Sequence, residues 1–307
     1  MMNQVQERLL YQIAGLKEKP EKGAYNIRLD GGSLGYQSTE NIAIQPMADG
    51  GGLHITIKPG TVGETVHIPV LISKSGHQEK VVNVFEIGAD CDITIVAGCG
   101  IHNDGAIASQ HDGLHEFKVG ENAKVRYVEN HYGEGNAESG RVFNPETVLH
   151  LAPGSNMEIE TVQIEGVTST KRLTKATVGD GATLVIKEKL LTDGDQYAET
   201  AFDVDLAGVD SSTNVISRSV AKGNSKQVFL SKIDGNNQCY GHSECDAIIM
   251  DGAMVQAIPQ VTANHVDATL IHEAAIGKIA GEQIIKLMTL GLTEEEAEQE
   301  IVQGFLK

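Results

Sequence analysis

From about residue 25 to residue 265 the chain alternates apolar and polar residues with a period of two, and no helical segment of convincing length interrupts it. That period puts successive side chains on opposite faces of a strand, one toward a core and one toward water. Four segments share one rhythm: GADCDITIV from Gly88, GENAKVRYV from Gly120, GSNMEIETV from Gly154 and GDGATLVIK from Gly179. Each opens on a glycine turn, places a small or apolar residue three positions later, and then alternates. Runs such as 65–72 and 227–230 read as further strands. The four glycines lie 32, 34 and 25 residues apart, an irregular repeat. Without helices to cross between strands, the choices narrow to a sandwich, a barrel, or a β-helix whose coils stack strands in parallel. Recurrent glycine turns at loosely repeated spacing favour the β-helix.

Both ends differ from this middle. Val5, Leu9, Leu10 and Ile13 fall on one face of a helix that the segment 17–23, with Pro20, brings to an end. This predicts a short helix capping the core. Near the other terminus, 279–290 carries Ile279, Ile284, Leu287, Met288 and Leu290 as an apolar stripe, with Gly291 as a stop. Thr293-Glu294-Glu295-Glu296 is a capping box opening a second helix that presents Ala297, Ile301, Val302 and Phe305. The expected organisation is a helical segment at 1–24, a β-helix core at 25–271 and a C-terminal helical domain at 272–307. The two last helices either cover an open end of the core or form a docking surface.

Charge and composition exclude several roles. Twenty-four basic against 42 acidic residues give a net charge of −18, which repels nucleic acid and anionic membrane surfaces. The N-terminus has no apolar signal region, and no apolar run approaches the ~18–20 residues that cross a bilayer. The expectation is a soluble, cytoplasmic protein. Trp is absent and aromatics make up 4%, against 34 glycines, a profile of many short strands rather than an aromatic sugar-stacking groove. A β-helix enzyme acting on polysaccharides is therefore the remote alternative.

Several catalytic signatures are missing. Gly277-Lys278 runs into Ile279, so there is no P-loop, and no G-x-G-x-x-G opens a helix after a strand. His272-Glu273 begins like H-E-x-x-H, but Ile276 occupies the fifth position. The four cysteines, Cys91, Cys99, Cys239 and Cys245, form neither a CxxC pair nor a disulfide framework. Cys245 stands between Glu244 and Asp246, where negative charge disfavours the thiolate a nucleophile needs. A bound cation would offset that charge and deprotonate the sulfur. Cys245 with His272 and Glu273 offers thiolate, imidazole and carboxylate, all competent iron ligands. Alternation offers another reading, with Cys245 packed inward beside Ala247 and Ile249 while its acidic neighbours face out. His242, His265 and the group His102, His111 and His115 read as ordinary polar residues on turns.

The tail Ile271-His272-Glu273-Ala274-Ala275-Ile276-Gly277-Lys278-Ile279, then Glu282-Gln283, Gly291, Glu294-Glu295-Glu296-Ala297 and Ile301-Val302-Gln303-Gly304-Phe305, resembles the C-terminus of the SufB/SufD family. These are scaffold subunits of the SUF iron–sulfur cluster assembly machinery. Asp205-Leu206-Ala207-Gly208, Ser211-Ser212, Ile216-Ser217, Gly223, Gln227 and Glu244-Cys245-Asp246-Ala247-Ile248-Ile249 fit the same pattern, which is specific over roughly residues 200–307. The resemblance implies a mainly β fold, a right-handed parallel β-helix with helical ends. It also implies a non-enzymatic scaffold for an iron–sulfur cluster, dimerised through that core. A SufC-like ABC ATPase subunit, docked on the C-terminal helices, would hydrolyse the ATP. By the same resemblance the cluster-site cysteine falls on Cys245, and a Glu-His-Glu motif falls on Ile271-His272-Glu273, keeping Glu273 and losing its first acid. His272 matches the interface histidine of the SufD subunit. One chain thus keeps ligands from both subunits, which implies a homodimer rather than a SufB–SufD heterodimer. The alternative within the same machinery is a SufD-like structural partner without its own cluster. No position matches the family's core sulfur-accepting cysteine, and Cys91, Cys99 and Cys239 are its candidates.

Overall fold

The computed structural model describes residues 2–48, 50–136 and 138–307, with Glu165 described in its backbone only. Helix α1 (Gln4–Ala14) leads into two antiparallel hairpins, β1 (Ala24–Leu29) with β2 (Gly32–Gln37) and β3 (Ile42–Pro46) with β4 (Gly52–Ile57). Every later pairing is parallel. The strands are β5 (Val62–Ile72), β6 (Gln78–Ile87), β7 (Asp92–Asn103), β8 (Ser109–Val119), β9 (Lys124–Gly135), β10 (Arg141–Phe143), β11 (Glu146–Leu151) and β12 (Asn156–Glu165). They continue with β13 (Ser169–Val178), β14 (Thr183–Thr192), β15 (Tyr197–Leu206), β16 (Ser211–Ala221), β17 (Lys226–Gly235), β18 (Cys239–Ile249), β19 (Met254–Ala263) and β20 (Ala268–Gly277). From β4 onward successive strands fall on alternate sheets, except that β10 and β11 share one. One sheet runs β2-β1-β5-β7-β9-β12-β14-β16-β18-β20 and the other β19-β17-β15-β13-β10-β8-β6-β4-β3, with β11 beside β8 and β13. This is a β-solenoid of about 8 turns, the mainly β fold expected from the alternation.

The two sheets face each other across a lumen filled by every second residue. Phe85 and Phe117 stack there with centroids 4.4 Å apart, and Tyr127, Met157, Ile186, Phe202 and Val215 continue the core along the axis. Coil length varies as the glycine spacing suggests: Asn122 reaches back 32 residues to Asp90, whereas Gly223 bonds Asp251, 28 residues on. The corner glycines have a steric reason. A Cβ on Gly120 would stand 2.6 Å from the carbonyl carbon of Gly88, and one on Gly208 2.1 Å from the amide nitrogen of Asp180, so stacked coils touch through bare backbone.

Helix α1 forms as the apolar spacing predicts, burying Leu9, Leu10 and Ile13, and Asn3 closes a capping box with Gln6. It lies on the outside of the β5-β7-β9 sheet rather than over the end of the lumen. Gly98, at φ 154°, admits it: a Cβ there would approach the Ile13 carbonyl to 3.1 Å. At the other terminus β20 runs to Gly277, so the last strand takes in His272 and Glu273. Helices α2 (Gly281–Met288) and α3 (Glu294–Phe305) follow, the latter capped by Thr293 and Glu296 as read from the sequence.

Candidate functional site

Strand register decides how the three candidate ligands stand to one another. On β18, Ser243, Cys245 and Ala247 point into the lumen and are buried, while His242, Glu244 and Asp246 face out. β20 continues the ladder one coil further: Ser243 pairs with His272, Glu244 with Glu273 and Cys245 with Ala274. Cys245 and His272 therefore face inward and Glu273 faces outward. The fold brings all three onto two adjacent strands at the end of the solenoid, but not onto one face.

Each group sits in a distinct electrostatic setting. Cys245 is 1% exposed. Burial pushes its thiol up to about 12, with smaller contributions from Glu188 and then Asp246. The acidic flanks noted in the sequence are thus a minor cause, because they lie on the opposite face of the strand. Outside, burial and Asp246 raise the Glu244 carboxyl. Glu273 is largely exposed, its Oε1 3.8 Å from His242 Nε2, and His242 Nδ1 lies 3.0 Å from Asn214 Oδ1. His272 Nδ1 is buried and has no hydrogen-bond partner among the described residues. β20 pairs with β18 alone, so its other edge carries no strand among the described residues. In that setting no group of three or more His, Cys, Asp and Glu side chains is arranged to hold a metal ion within one chain, among the described residues.

The lumen behind Cys245 is polar, which sequence reasoning missed. One inward ladder runs Glu129, Thr161, Glu188, Ser217, Cys245 through β9, β12, β14, β16 and β18. Ser217 Oγ donates to Glu188 Oε2 at 2.7 Å, and Thr200 Oγ1 donates to the same oxygen at 3.3 Å. Burial raises the Glu188 carboxyl against these bonds. Burial would raise Glu129 too, but the Arg172 guanidinium and His131 hold it well below the usual carboxylate range. Nearby, His115 Nδ1 lies 2.7 Å from the Tyr127 hydroxyl, and burial lowers this imidazole to about 4. The signal was present: in VIKEKL, Glu188 takes a lumen position between Ile186 and Leu190.

The remaining sequence candidates resolve as follows. Cys91, Cys99 and Cys239 are buried and free, with Cys91 Sγ donating to the Lys58 carbonyl at 3.2 Å. Burial raises the thiols of Cys99 and Cys239. His102, His111, His115 and His242 lie on strands, not on the turns expected of them, because alternation continues through them. His111 and His115 face the lumen. Only His265 of that group is on a turn. The chain also contains G-x-S-x-G spacing, Gly31-Gly32-Ser33-Leu34-Gly35. It lies on the turn and second strand of the β1–β2 hairpin, so it lacks the strand-to-helix elbow that exposes a nucleophile. No helix among the described residues is long and apolar enough to cross a membrane.

Residues 71–305 match the family model described as SUF system FeS cluster assembly, SufBD core domain. The chain belongs to the SufBD family. It is 29% identical over 250 residues to the iron-sulfur cluster assembly SufBD family protein of Archaeoglobus fulgidus, covering 80% of this chain and 66% of that one. A SufBD family protein of Methanothermobacter thermautotrophicus is 28% identical over 262 residues, 83% of this chain and 62% of the relative. The chain thus spans just under two thirds of the length of these two relatives. With the Methanocaldococcus jannaschii member the identity is 27% over 328 residues, 98% of both chains. The coils that carry Cys245, His272 and Glu273 lie within the matched core.

Proposed function

We propose that this chain is a scaffold on which an iron–sulfur cluster is built and from which it is handed on. The observation that carries this reading is the placement of Cys245 on β18 beside His272 and Glu273 on β20, whose outer edge is unpaired among the described residues. An exposed strand edge is a template for pairing with another chain. Here it is flanked by Ile258, Val261 and Ile271, 42%, 44% and 38% exposed. A second copy joined there, as a homodimer through the core, would bring its own Cys245, Glu273 and His272 to the same region. The unpartnered His272 Nδ1 supports a ligand or partner role at that edge. Arriving iron supplies the positive charge that lowers the Cys245 thiol from about 12 and offsets Glu188 and Asp246.

In this reading the chain is not itself an enzyme. A SufC-like ATPase docks on the C-terminal helices. α2 buries none of its residues, and Ile285, Met288 and Leu290 are 61%, 43% and 76% exposed, an apolar face that suits a partner. The complex works in the cytoplasm, away from membranes and nucleic acid.

Anaerobic reconstitution with iron and sulfide tests the ligand assignment. The wild type should gain cluster absorption and bound iron, and both should be lost in Cys245→Ser and Glu273→Ala while far-UV circular dichroism stays unchanged. Wild-type cluster yield in both variants would refute it. One observation favours a second reading, a SufD-like structural partner: Cys245 is closed off from solvent in the single chain. On that reading the purified dimer takes up no cluster until a distinct cluster-bearing chain is added.

A further inference from the structure

Between the buried side chains of Arg172 and Glu188 the lumen contains a cavity of about 10 Å³, lined by Thr161, Gln163, Thr170, Arg172, Glu188 and Thr200 among others. That is room for the centre of one water molecule. Thr161 is 3% exposed, and its Oγ1 is buried without a hydrogen-bond partner among the described residues. The walls hold unused hydrogen-bonding capacity of both kinds. Arg172 directs one N–H to Glu129 and another at His131 Nδ1, of the five that a guanidinium carries. Thr170 Oγ1 donates to the Phe143 carbonyl at 2.8 Å and Thr200 Oγ1 to Glu188 at 3.3 Å, so both hydroxyl oxygens remain able to accept.

We propose that this cavity binds a single water molecule, which takes Thr161 Oγ1 as a partner and joins it to the polar walls formed by Arg172 and Glu188. A second lumen cavity of the same size, lined by Cys99, His111, His115, Glu129 and His131, lacks the feature that decides the first. Its imidazole and carboxylate walls are already paired: His111 with Glu79, His115 with Tyr127 and Asn83, and Glu129 and His131 with Arg172. With the water in place, the inward ladder from Glu129 through Thr161 and Glu188 to Ser217 is hydrogen-bonded throughout. Cys245, next on that ladder, then has this polar column on one side while it packs into the apolar core.

The sign of a stability change tests this. In a dry cavity, Thr161→Val removes an unpaired buried hydroxyl, and the melting temperature rises. In a wet one the same change strips the water of a partner, and the melting temperature falls, while Thr161→Ser keeps the wild-type value more nearly. High-resolution crystal structures of all three supply the second readout. The expected result is one ordered water within hydrogen-bond distance of residue 161 in wild type and Thr161→Ser, and none in Thr161→Val. An empty wild-type cavity, an ion in place of water, or a Thr161→Val chain that melts higher overturns the proposal. If Thr161→Val does not fold, the wild-type and Thr161→Ser densities decide it alone.

Discussion

The middle coils and the last coil of this solenoid both bury polar side chains, but they treat them differently. In the middle the ionisable groups are paired, Glu129 with Arg172 and His131, His115 with Tyr127, and Glu188 with Ser217 and Thr200, and the partnerless Thr161 Oγ1 faces the small polar cavity between them. In the last coil Cys245 is closed off with its thiol raised, and among the described residues His272 Nδ1 has no partner and the outer β20 edge carries no strand. Buried polar groups that satisfy one another make a fold specific, whereas unsatisfied ones mark a place where something else is expected. On the proposed function, the contrast separates an interior that holds the scaffold from an end that a partner and a metal would complete.

The largest effect should come from breaking the interior. Arg172→Met leaves Glu129 as a buried unpaired charge and should cost about 3–5 kcal/mol in denaturant unfolding, whereas Arg172→Met with Glu129→Gln recovers much of it. A loss under about 1 kcal/mol would mean that the pair is as dispensable as a surface salt bridge.

The two buried glutamates should respond to pH with opposite signs. Glu129 is held below its ordinary range, so its contribution is present above the unfolded carboxylate range and is lost as pH falls through its folded value. Glu188 is raised, so it favours the fold below the unfolded carboxylate value, and that advantage disappears as pH rises through its folded value. Glu188→Gln should therefore stabilise the protein at neutral pH and lose that advantage in acid, while Glu129→Gln should destabilise it at neutral pH. Unfolding free energies of both variants from pH 7 to pH 4 check the pair, and equal signs would break the comparison.

Cys245 should show its setting at high pH. Its folded value of about 12 lies above the ordinary thiol value of 9.0, so its contribution is full below pH 9 and falls as pH rises toward 12. Stability should drop less steeply between pH 9 and 11 in Cys245→Ala than in wild type. The same thiol should alkylate slowly at neutral pH in the single chain, and iron loading should protect it further.

The smallest effect belongs to the terminal helices. Thr293→Ala removes the capping box of α3 and should cost about 1 kcal/mol of helix stability while leaving the solenoid transition in place. A matching fall in the solenoid transition would show that α3 and the coils unfold as one unit.

Much of this was legible in the chain itself. Alternation at period two indicated strands through most of residues 25–265 and offered Cys245 as inward with Glu244 and Asp246 opposite, although His102, His111, His115 and His242, which read as turn residues, lie on strands too. Apolar spacing and the Thr293 capping box determined the terminal helices. What the sequence could not decide is which inward residues meet, because that depends on register between coils whose lengths differ. Only stacking set Glu129, Thr161, Glu188, Ser217 and Cys245 on one ladder, and only chain reversal carried Arg172 on β13 across the lumen to Glu129. The same stacking carried the last strand to Gly277, turning His272 inward and Glu273 outward although they are neighbours in the chain. A strand's side-chain pattern is local and survives in the sequence, whereas the pairing of one coil with the next is a long-range choice made by backbone hydrogen bonds and core packing.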